Sequence, residues 1–230
     1  MKLSLTKSWL DLSVIALLAA NTIPLFGVLF LKWDAFFIVL LYWSENLIIG
    51  FYNILKIIFS RVSHPSVHLG KLFLIPFFII HYGGFTAGHG LFLLAFFKED
   101  VAKNVLESFK WPFILVFLEL LINVVKQIYL IIPSEMKIAV LSLFISHGVS
   151  FIYNYLLKGE YANPNKNLMA GPYGRVILMH ITILGGGFLA MSMGSPAAIL
   201  LILVILKTIV DVILHLRGHK KAQTNKSIVN

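Results

Sequence analysis

The chain has 230 residues, of which 59% are hydrophobic and 13% charged, with a formal net charge of +9. A mean hydropathy of +0.89 excludes a water-soluble domain of ordinary composition and points to an integral membrane protein. The absence of cysteine excludes disulfides, thiolate metal sites and a cysteine nucleophile.

Apolar runs of about 20 residues, enough to cross about 30 Å as helix, predict seven transmembrane helices in a single membrane domain. They lie at 9–31, 35–59, 72–97, 112–132, 138–157, 173–193 and 197–217. The ten-residue alternation of barrel strands is absent, so the expected fold is all-α. Lys2 and Lys7 precede the first run, and Leu18-Ala19-Ala20 resembles a cleavage context. The run is longer than the apolar region of a signal peptide, so it reads as a helix. The second helix carries Glu45 beside Asn46, with Asn53 two turns on; the third carries His81 and His89 around a Gly84 to Gly88 spacing that suits close helix packing. Residues 98–110 read as a mixed-charge spacer. Glu119, Asn123 and Lys126 form a stripe on the fourth helix, and the fifth carries His147 and Asn154. Arg175 and His180 lie on the sixth, followed by small residues at Gly186, Ala190 and Gly194. On the last, Lys207, Asp211 and His215 follow one another at i,i+4 and share a face. Residues 218–230 read as a short solvated tail. Counting Lys and Arg near the span ends puts the amino terminus outside and the carboxyl terminus in the cytoplasm. The positive charge is that of flanks facing anionic lipid and requires no nucleic acid.

Ionisable groups inside hydrocarbon are costly, so each one faces protein or water. If successive helices alternate in direction, Glu45, His89, Glu119, His147, His180 and Asp211 fall in one layer roughly 6 Å thick. Imidazoles and carboxylates without thiolate are the ligand set of zinc first, with iron or manganese as further options. The expected metal ligands are His89, His147, His180, Asp211 and His215. Glu45 is the expected general base on a metal-bound water. Asn46, His81, Glu119, Asn154, Arg175 and Lys207 are expected around them or against a substrate.

The segments His81-Tyr82-Gly83-Gly84 through His89-Gly90, Ser146-His147-Gly148-Val149-Ser150-Phe151 with Asn154, Pro172-Tyr173-Gly174-Arg175 through His180, and Lys207 through Asp211 to His215 carry a resemblance. They resemble a prokaryotic multi-pass membrane family of unknown function. A looser similarity is to the seven-helix zinc hydrolases of the alkaline ceramidase and adiponectin-receptor type. Those bind one zinc through three histidines, two of them four residues apart on the last helix, where this chain has Asp211 and His215. The early-helix histidine and serine of that pattern have no counterpart here. The resemblance implies a shared design of seven helices around a buried histidine and carboxylate site.

Three functions follow as expectations. One is a metal-dependent intramembrane hydrolase of a lipid or small molecule. The second is a proton-coupled transporter or ion pathway using the same residues as a relay. The third is a haem b protein with two histidines as axial ligands.

Overall fold

The computed structural model describes residues 33–61, 65–162, 171–193 and 201–209, together with Phe26, Phe30, Leu168 and Ile199. Its described residues are helical with no strand. Four helices are long and apolar enough to cross a membrane: Ala35–Phe59, Gly70–Phe97, Phe113–Ile131 and Ser134–Leu157.

Helix α1 (Ala35–Phe59) coincides with the predicted span. Helix α2 (Pro65–Phe97) begins earlier than predicted. Proline opens it because its ring holds a helical φ and its missing N–H is not needed in a first turn. Pro76 lies inside the same helix, where the bond back to Leu72 cannot form. A short helix, α3 (Glu99–Leu106), occupies the expected spacer. Its Ala102 and Val105 are buried, whereas Glu99 and Lys103 pair at 2.8 Å on the exposed side. A 3-10 turn (Phe113–Leu115) leads into α4 (Val116–Ile131). Helix α5 (Ser134–Ser150) starts after Pro133, earlier than predicted, and continues as a π-helical turn (Phe151–Leu157). Helix α6 (Tyr173–Met193) matches its prediction. Ile199 and residues 201–209 are helical within the last predicted span, and the rest of it lies outside the described residues, as does the first span except at Phe26 and Phe30.

The chain divides into two compact units. One, Met1–Ala35 with Leu184–Asn230, packs Gly186 against Ile199: a Cβ built at this glycine would lie 2.7 Å from the Ile199 Cα. The other, Phe36–Ile183, holds α2 to α5 with nearly all of α1 and the first half of α6. Its centre is Trp43, fully buried, whose Nε1 donates to the Thr86 carbonyl at 2.7 Å. A Cβ at Gly90 would lie 2.6 Å from the Trp43 ring and 2.7 Å from Val124. Only glycine therefore lets α1, α2 and α4 meet there.

Helix directions follow from these contacts. Asn46 meets Tyr82, and Phe36 meets Phe97, so α1 and α2 are antiparallel. Glu45 meets His147, and the Lys56 carbonyl meets the Tyr155 hydroxyl, so α5 runs with α1. Gly84 lies against Phe117 and Gly90 against Val124, so α4 runs parallel to α2. This corrects the assumption that successive apolar helices alternate, and with it the depth assigned to Glu119.

Gly90→Leu forces side chain into this contact, an overpacking that costs about 1–3 kcal/mol. For a chain of this size the melting temperature in detergent should drop by about 2–4 °C per kcal/mol. Thermal unfolding followed by tryptophan fluorescence checks it, with Gly70→Leu, where nothing lies within 4 Å of the added Cβ, as the neutral comparison.

Candidate functional site

The polar residues of the larger unit, Phe36–Ile183, separate into two pairs and one structural staple. The first pair joins α2 to α6. His89, 5% exposed, shares a hydrogen bond of 3.2 Å between its Nε2 and the Nδ1 of His180. One imidazole must donate and the other accept, so at least one of the facing nitrogens carries a proton. Eight residues earlier on α2, His81 Nδ1 and the Tyr173 hydroxyl share a hydrogen bond of 2.8 Å. All three histidines line one cavity of about 630 Å³.

That cavity is a groove along one face of α2. Leu72, Phe73, Phe77, Phe85 and Phe92 supply its walls, with Ile114 and Phe117 closing it from the start of α4. From residue 72 to 92 it extends about 30 Å at 1.5 Å per residue. Gly84 and Gly88 form part of its floor. Gly84 packs against Phe117, but nothing lies within 4 Å of a Cβ at Gly88. The glycine spacing read as a helix-packing motif thus packs at one end and opens the groove at the other. Among the described residues the three histidines are its only ionisable lining residues.

The second pair joins α1 to α5. Glu45 Oε1 and His147 Nε2 are 3.5 Å apart, both partly buried. Tyr52 stacks near His147 and donates its hydroxyl to the Phe144 carbonyl at 3.0 Å. A Cβ at Gly148 would come within 2.6 Å of that hydroxyl, so glycine beside His147 makes room for the tyrosine. Beyond the pair, the Asn154 amide donates to Ser150 Oγ at 3.2 Å, and Lys158 Nζ donates to Asn154 Oδ1 at 3.3 Å. These residues lie one turn apart along α5 and its π-helical extension, leading from His147 toward the helix end.

Glu119 is the staple. It is buried in the first turn of α4, and its carboxylate accepts the backbone N–H of Lys110 at 2.9 and 3.0 Å and that of Trp111 at 2.8 Å. Asn123, one turn on, donates its amide to Ser108 Oγ at 2.8 Å. The polar stripe on this helix therefore holds the preceding loop. Neither Glu119 nor Asn123 lines the histidine groove.

Asn46 is buried beside Glu45, and its carbonyl accepts the Tyr82 hydroxyl at 3.0 Å. Asn53 ties α1 to the Leu168 carbonyl at 2.9 Å. Asp211, His215 and the side chain of Arg175 lie outside the described residues, and Lys207 belongs to the other unit. Among the described residues no three His, Asp or Glu side chains gather as a metal ion would require. His89 and His180 come together, and His147 is with Glu45. Two residues escaped the sequence reading. Tyr52 was findable, being seven residues after Glu45 and so on the same helix face. Tyr173 pairs with His81 across a sequence distance of 92, which no local pattern signals.

An all-α protein with several membrane-length helices and intrahelical histidines paired across the bundle is the class this geometry defines. The sequence model of a family of unknown function, DUF6498, matches residues 4–227, and the chain belongs to that family. No curated protein and no solved structure matches it.

Glu119→Ala leaves two backbone N–H groups without their acceptor, a loss of about 1–3 kcal/mol for each buried group. Glu119→Gln keeps one acceptor oxygen and should fall between wild type and alanine. Chemical denaturation in mixed micelles ranks the three proteins; equal stability of all three would mean the staple carries no weight.

Proposed function

We propose that this protein is an integral membrane protein that binds a long apolar molecule of lipid type in the groove along α2, with His89 and His180 acting on its polar end. The carrying observation is the placement of three histidines in a groove otherwise lined by aliphatic and aromatic side chains. The groove's length of about 30 Å equals the hydrocarbon thickness of a bilayer, so an acyl or isoprenoid chain fits along it. A hydrogen-bonded imidazole pair offers a proton donor and a proton acceptor side by side, which suits general acid–base chemistry on an ester, amide or phosphoester. The same two nitrogens supply half of a four-ligand zinc site, the form this reading takes if the hydrolysis is metal-dependent.

Lipid extraction and native mass spectrometry of wild type, His89→Ala and Gly88→Phe test this reading. Wild type should retain a lipid-type molecule, and Gly88→Phe, which fills the groove, should lose it. His89→Ala should retain the apolar chain with altered headgroup selectivity. Elemental analysis of the same samples decides the metal: near one zinc per chain in wild type, lost in His89→Ala, supports metal-dependent hydrolysis. Equal lipid content in all three proteins sinks the proposal.

A second reading is proton movement, favoured by the Glu45–His147 pair and the hydrogen-bonded Ser150, Asn154 and Lys158 beyond it. Carboxylate and imidazole within one apolar bundle are the components of a proton relay. Proteoliposomes under a potassium-diffusion potential should then take up protons, with the rate falling in Glu45→Gln and His147→Ala but unaffected by His89→Ala. Uptake no faster than in protein-free vesicles rules this reading out.

A further inference from the structure

We infer that residues 98–131 are a re-entrant segment, in which α3 and the limb after it enter the bilayer to about half-depth and α4 returns to the same side, and that the ascending limb lines a water-filled vestibule beside the histidine groove. The inference rests on the parallel directions of α2 and α4. Gly83 and Gly84 lie against Leu121 and Phe117 in the first turns of α4, and Gly90 lies against Val124 further on. From residue 84 to the end of α2 at Phe97 the chain descends about 20 Å. It must climb that distance again before α4 begins, and α3 with the strand-like limb after it makes the climb.

Depth follows from α1, whose 25 residues exceed the roughly 20 needed to cross the hydrocarbon. Its Phe36 meets Phe97 near one end, with ring centroids 5.6 Å apart. Its Trp43 and Asn46 meet Thr86 and Tyr82 on α2, about ten residues and 15 Å further in. The Gly84–Phe117 contact is at this inner level. The loop before α4 therefore turns near the middle of the bundle's apolar span.

The segment is built to survive there. Its ascending limb lies antiparallel to α4, Ser108 beside Asn123 and Lys110 beside Glu119. Glu119 takes two backbone N–H groups of the limb, and Ser108 Oγ donates to the Val105 carbonyl at 2.7 Å. Irregular backbone at membrane depth persists only where protein satisfies it or water reaches it. The turn is Trp111-Pro112-Phe113, with Phe113 left-handed at φ 49° and 94% exposed. A left-handed phenylalanine costs on the order of 1–3 kcal/mol, so the neighbouring contacts must hold it.

Water enters the argument through the exposed polar side chains. Lys103, Asn104, Glu107 and Lys110 are all exposed on α3 and the limb. Charged groups at this depth do not face acyl chains. Their side of the segment is therefore wet, whereas Ile114 and Phe117 at the turn form a wall of the histidine groove. The turn separates an aqueous vestibule from the groove and brings water or a proton from one membrane face toward His89. This role, unlike the topology, rests on the groove function proposed above.

The cysteine-free chain makes the test direct. Single substitutions Lys98→Cys, Asn104→Cys, Glu107→Cys, Lys110→Cys, Phe92→Cys, Glu135→Cys and Arg61→Cys all fall at exposed positions, which spares the fold. Each is labelled with a membrane-impermeant maleimide in oriented vesicles, after gel filtration confirms a monodisperse protein. Cysteines at 104, 107 and 110 should label from the same side as those at 98 and 135, several-fold more slowly toward 110. Arg61→Cys should label from the opposite side, and Phe92→Cys should not label. Three results overturn the inference: labelling of Lys110→Cys from the Arg61 side, loss of labelling at both 107 and 110, or labelling of Phe92→Cys as fast as Lys98→Cys. The first means a plain crossing, the second contact with lipid, and the third a segment lying wholly in water. A failure of lipid binding in the groove leaves these outcomes unchanged, so the two proposals fail separately.

Discussion

Each polar atom that an apolar bundle takes inside must find a partner there, and this constraint organises the whole of the larger unit. Buried hydroxyl and indole groups donate across helices to backbone carbonyls, Trp43 to Thr86, Tyr52 to Phe144, Tyr82 to Asn46 and Tyr155 to Lys56, while the Asn53 amide donates to the turn carbonyl of Leu168. A helical carbonyl keeps a second lone pair after its own helix bond, so these contacts break no helix. Each is a modest net contribution, but each carries a direction, and helix–helix contacts between aliphatic side chains do not. They set which faces of α1, α2 and α5 meet.

The same constraint sorts the ionisable residues. Glu119 is satisfied by backbone N–H groups and is a structural anchor, because a carboxylate accepting two amides has little capacity left for chemistry. Among the described residues the imidazoles of His89 and His180 are hydrogen-bonded to each other, and both line the groove. Each of the two pairs, His89 with His180 and Glu45 with His147, sets one ionisable side chain against another, and they are where we propose that the chemistry lies.

The parallel course of α2 and α4 has the largest consequence for topology. Two helices joined by 18 residues can be parallel only if the connection returns the length of the contact, and α3 supplies that return. Glycine at 84 and 90 is what allows the approach, since Phe117 and Val124 occupy the space a side chain would need. The loop that results brings Ile114, beside the turn at Trp111-Pro112-Phe113, and Phe117 into the groove wall.

Composition and run length were enough to determine helical class and the limits of α1 and α6, because hydrophobic length is a local property of the chain. The polar stripe on α4 was also legible, as were the histidines that mark α2, α5 and α6. Their partners were not. A single layer containing Glu45, His89, Glu119, His147 and His180 followed from counting depth along alternating helices, and α4 does not alternate. Direction and rotation of a helix are decided by what packs against it, by Trp43 in the gap at Gly90 and by Glu119 on the limb before its own helix. Those are contacts between residues distant in sequence or across an irregular loop, so only the tertiary structure divided the polar residues into a histidine pair, a glutamate–histidine pair and a staple.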